Sequence, residues 1–188
     1  MKKVMDLVKP YLSLIFGVLF FLLYLNLLKA DGKYFAIGLV AVIISSYYLC
    51  VGILGIVLGD KMPAGLKKVF GILSVSLFPT FMFVYYLLAV IDMANFMGPT
   101  AWVIYPLCMG ASLALVGFYV VSRFVKNQVV TRLAGMFAAI FVLALIADTL
   151  FDMEGNQNTF GGIGVVSLLV YSIFAFLLFN SLSKEKAE

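Results

Sequence analysis

The sequence predicts an all-α integral membrane bundle of six transmembrane helices, and three observations carry that prediction. Hydrophobic residues make up 64% of the 188-residue chain and charged residues only 12%. The mean hydropathy is +1.14, so there is far more apolar side chain than one soluble core can hide. Finally, that apolar character falls into six continuous uncharged runs rather than the period-two alternation of an outer-membrane barrel. In hydrocarbon the backbone must satisfy its own hydrogen bonds, which leaves helices. The expected organisation is a single transmembrane domain over residues 1–188.

The first run, Tyr11 to Leu28, follows Lys2 and Lys3. No small-x-small cleavage site comes after it and five more spans do, so it is read as a mature helix rather than a secretory signal. The second runs from Tyr34 to Leu58, the third from Val69 to Ile91, the fourth from Ala101 to Val121 and the sixth from Phe160 to Leu182. Each of these five has the roughly 17–25 residues that a hydrocarbon layer demands. The fifth, Leu133 to Ala147, is short. Breakers separate them: Asp31-Gly32, Pro63, Gly98-Pro99, Asn127 and Glu154 to Asn158. An echo at the start of the odd-numbered spans (Phe16-Gly17-Val18-Leu19, Phe70-Gly71-Ile72-Leu73, Ala134-Gly135-Met136-Phe137) is what three helix hairpins in parallel repeat would leave, and also what chance leaves in Gly-rich membrane helices.

Eleven of the thirteen lysines and arginines fall before the first span, in the second-to-third and fourth-to-fifth connectors, and after the sixth span; only Lys29 and Lys33 lie on the other side. The positive-inside rule then places both termini in the cytoplasm, with the cytoplasmic membrane as the expected location. The pI near 9.0 reflects these short clusters at helix ends, where anionic headgroups attract them, and calls for no nucleic-acid partner.

Chemistry-bearing residues are sparse. The chain has no histidine, hence neither the commonest general base nor the commonest transition-metal ligand. It also has no Walker loop, HExxH or Cys-x-x-Cys, so no enzyme, cofactor or metal is expected. Cys50 and Cys108 fall at depths of about 24 Å and about 10 Å in the second and fourth spans, a mismatch beyond the roughly 7 Å Cα separation a disulfide tolerates. Two buried free thiols are expected.

The most informative residue is Asp148. Only 15 uncharged residues separate it from Arg132, about 22 Å of helix against a core of about 30 Å. Arg132 can snorkel; a short aspartate must solve its solvation locally. Ala134, Ala138 and Ala144 stripe the helix beneath it, which turns Asp148 toward the bundle, with Asn26, Lys29 or Lys33 as candidate partners. The alternative is that Asp148 sits among the headgroups and ends the fifth helix. With Asp92 at the end of the third span and Asn26 in the first, Asp148 gives a candidate outward-facing polar vestibule.

Pro79 and Pro106 free the carbonyls of Val75 and Trp102 and are expected to kink their helices, with Ser76 and Thr80 taking up part of the lost bonding. Ser45, Ser46, Ser112, Ser167, Tyr171 and Ser172 are expected to bond between helices. Gly52, Gly55 and Gly59 read as one close-packing face, and Trp102, Tyr11, Tyr34 and Tyr119 as interfacial aromatics. Three functions compete. The first is a small transport component that binds or conducts a polar or cationic solute. The second is a non-catalytic or stress-related membrane subunit that packs against a partner helix or a second copy of the chain. The third, least supported, is a membrane enzyme acting on lipid.

Overall fold

The computed structural model describes residues 2–29, 32–93, 98–125, 127–155 and 163–185. Among them are six helices long and apolar enough to cross a membrane, and no strand. They are α1 (Lys2–Tyr24), extended by a 3-10 turn over Leu25–Lys29, α2 (Lys33–Leu58), α3 (Ala64–Met93), α4 (Pro99–Ser122), α5 (Gln128–Gly155) and α6 (Ile163–Glu185). The fold is all-α, that of a multi-pass membrane protein. Apolar side chains such as Ile43, Val57, Val103 and Leu143 stand exposed on the helix surfaces, as a lipid-facing surface requires.

The helices outrun the uncharged runs. α5 begins five residues before Leu133 and continues past Asp148 to Gly155, so Asp148 does not end the fifth helix. Charge marks where hydrocarbon stops, whereas a helix stops only where its backbone bonding does. α3 likewise runs as helix through Pro79. The Ser76 hydroxyl near that proline is buried without a hydrogen-bond partner among the described residues, so it does not replace the bond that Pro79 removes.

Two compact units divide the chain, Met1–Ser74 and Val75–Glu188, with the boundary inside α3. In the first, α1 lies against α2 at a distance only glycine allows. A Cβ on Gly52 would stand 2.6 Å from Leu14 Cγ and 2.8 Å from the Pro10 carbonyl oxygen, and one on Gly55 would stand 3.0 Å from the Pro10 ring. Gly59 does a different job from the face expected of it: with φ +48° it closes α2 in the left-handed region. Phe16 meets Tyr48 edge-on at 4.4 Å. Tyr48 donates to the Ser74 carbonyl oxygen at 2.5 Å and Tyr47 to that of Phe70 at 2.8 Å, which holds α2 to the start of α3.

In the second unit α5 packs most extensively on α4 and also on α6. Ala134, Ala138 and Ala144 are all buried, so the small-residue stripe does admit a neighbouring helix closely. Phe78, Phe141 and Phe174, from α3, α5 and α6, are fully buried and interlock, with Phe78 4.5 Å from Phe174 and 6.0 Å from Phe141. The glycines of the sequence echo occupy unlike places: a Cβ on Gly17 would meet the Ser45 carbonyl oxygen at 3.0 Å, whereas Gly135 faces open space.

Several side chains depart from expectation. Ser45, Ser46, Ser112 and Ser172 donate to carbonyls three or four residues back on their own helices rather than across to a neighbour, the local option always open to serine. Tyr119 is fully buried among the helices; its hydroxyl accepts a 2.5 Å hydrogen bond from Arg123, whose guanidinium also lies over its ring. Both cysteines are free, Cys108 buried but Cys50 exposed.

Candidate functional site

A carboxylate within a membrane helix needs partners brought by other helices, and α3, α4 and α6 bring them to Asp148. The Tyr86 hydroxyl on α3 donates to Oδ2 of Asp148 at 2.6 Å, a length typical of a hydrogen bond to a charged oxygen. Cys108 on α4 lies beside the Tyr86 hydroxyl, within electrostatic reach of the carboxylate. Tyr171 on α6 is also within that reach and neighbours Thr149. Tyr105 tilts against the Tyr86 ring at 4.9 Å, and Tyr85 meets it edge-on at 5.7 Å.

These groups form one layer because of where they stand on their helices. Asp148 and Tyr86 lie seven residues before the ends of α5 and α3, and Cys108 and Tyr171 lie nine and eight residues after the starts of α4 and α6. At 1.5 Å per residue each is about 10–14 Å from the same end of its helix. Asp148 is half-buried, whereas Tyr86 and Cys108 are no more than 1% exposed. The interlocked rings of Phe78, Phe141 and Phe174 come next along the helices and close the layer on its inner side. Toward the helix ends Leu150, Phe151 and Ile91 are exposed.

Of the other two vestibule candidates, Asp92 lies in the same unit as Asp148 and Asn26 in the other. Asp92 is exposed, one residue from the end of α3; six residues beyond Tyr86, it sits about 9 Å farther along and about 120° round the helix. Asn26 belongs to the first unit, in the 3-10 turn. Its side chain lies outside the described residues, as do those of Asp152 and Glu154. Tyr86 is the partner that sequence reasoning did not name. The available signal was a phenol seven residues inside an apolar helix end, since a buried tyrosine hydroxyl needs an acceptor.

Among the described residues no group of three or more His, Cys, Asp or Glu side chains stands close enough to share a metal ion. Among the described side chains the site offers one carboxylate, several phenols and a thiol: one acidic group and a set of hydroxyl donors. No protein-family model, no curated protein and no solved structure matches the chain.

Proposed function

We propose that the protein is a small transport component of the cytoplasmic membrane, both termini cytoplasmic, in which Asp148 binds the cation that moves or that drives movement of a polar solute. The observation that carries this reading is the Asp148 carboxylate held by Tyr86 inside a membrane-helix unit. A carboxylate at that depth is costly, and ionisable groups in membrane helices commonly serve ion or proton pathways. The single carboxylate among the layer's described side chains suits a monovalent cation, and its closure on the inner side by aromatic rings suits a site entered from the outer end.

The test is reconstitution into liposomes under imposed proton, sodium or potassium gradients, with cation entry followed by ion-sensitive dyes. Asp148→Asn is expected to fold like the parent and to reduce gradient-driven entry to the protein-free background. Parental flux in both Asp148→Asn and Asp148→Leu refutes the reading.

A second reading, a non-catalytic subunit that binds partner helices, is favoured by Gly110 and Gly117. Both are exposed on α4, where an added Cβ would meet nothing within 4 Å, the kind of small-residue surface that helix pairing uses. Gly117→Leu separates the two: it leaves cation entry intact under the first and abolishes co-purification of a partner under the second.

A further inference from the structure

We infer that the cation taken up at Asp148 is a proton, an assignment that rests on the transport reading and names the species the site is built for. The carboxylate is half-buried, and the side chains packed on it are closed to solvent. Tyr86 is 1% exposed, Cys108 0% and Tyr171 5%, and Oδ2 accepts the Tyr86 O–H. A hard metal cation needs about six oxygen ligands turned inward. Here the aliphatic hydroxyls are tied to their own helices, Thr149 to the Leu145 carbonyl and Ser112 to that of Met109. The peptide oxygens of α5 are used by a helix that runs unbroken past the site.

A proton needs neither shell nor volume. It bonds to Oδ1, the carboxylate becomes a carboxylic acid, and one negative charge disappears. The Tyr86 hydrogen bond to Oδ2 persists through the step because a carboxylic carbonyl still accepts. Among the described side chains, the titratable groups that reach Asp148 are Tyr86 from α3, Cys108 from α4 and Tyr171 from α6, with Tyr85 and Tyr105 set against the Tyr86 ring. Phenols and thiols carry no charge near pH 7, so protonation of Asp148 is the change of charge that these side chains offer.

Infrared difference spectroscopy of the full chain in lipid nanodiscs, titrated in sodium, potassium or N-methylglucamine chloride, tests this without knowledge of the solute. The expected result is a carboxylic-acid carbonyl band that is lost in Asp148→Asn, moves to higher frequency in Tyr86→Phe, and titrates identically in all three salts. A titration displaced by sodium or potassium overturns the proton assignment. So does a spectrum unchanged by Asp148→Asn across the pH range. If that displacement occurs while Asp148→Asn still abolishes flux, the transport reading survives and only the cation is wrong; parental flux in Asp148→Asn removes the transport reading itself.

Discussion

Replacing Tyr86 with phenylalanine removes one oxygen atom and keeps the ring against Tyr105 and Tyr85, so it isolates the hydrogen bond to Asp148. Hydrogen bonds to charged groups contribute about 1.5–3 kcal/mol in soluble proteins. Interhelical hydrogen bonds within membranes average about 0.6 and reach about 1.7 kcal/mol. The 2.6 Å length and the near-complete burial of Tyr86 argue for the top of the membrane range, where the two scales overlap near ~1.5 kcal/mol. A double-mutant cycle of Tyr86→Phe and Asp148→Leu measures it. Each single variant removes the bond from one side, the double variant removes both side chains, and the expected coupling is ~1.5 kcal/mol. Unfolding of the four purified proteins in mixed micelles supplies the values. Distant, independent sites add within about 0.5 kcal/mol, so a coupling below that figure refutes the claim that these two side chains hold each other.

Two other expectations follow from separate parts of the molecule. Gly52→Leu is expected to destabilise the α1–α2 pairing by more than the ~1–3 kcal/mol typical of overpacking, because the clash includes the Pro10 backbone; a matched loss of stability in Gly65→Leu, at a position open to space, would show that packing there is not the cause. Reporter fusions after Lys29 and after Glu154 are expected outside and one after Lys67 inside, and any reversal removes the cytoplasmic assignment of the termini.

The spans were legible because burial in lipid writes itself into composition: all six uncharged runs lie within helices, apart from the last residues of the first run, which fall in the 3-10 turn, and the opening residues of the sixth, Phe160 to Gly162, which lie outside the described residues. Their lengths were less legible, since Arg132 and Asp148 limit the hydrocarbon stretch of α5 but not its backbone bonding. The alanine stripe pointed Asp148 at other helices because helical periodicity is a property of one chain segment. Which residue meets it depends on how α3 is rotated and where it stands, and nothing local to Tyr86 records that. The serines show the opposite failure: polarity in a membrane helix suggested cross-helix bonding, but their own carbonyls were nearer. Pro10 escaped notice because its ring matters only as the neighbour of Gly52 and Gly55.

The hold of Tyr47 and Tyr48 on α3 has an uneven genetic footprint. Tyr48 reaches the main-chain oxygen of Ser74 and Tyr47 that of Phe70, and every amino acid supplies such an oxygen. Exchanging the side chain at position 70 leaves its acceptor in place, and at position 74 it removes only the extra contact between the Tyr47 and Ser74 hydroxyls. Loss of either phenol removes the donor outright. A substitution scan across this contact should therefore read as sensitive on α2 and tolerant on α3, although the two helices share the same bonds.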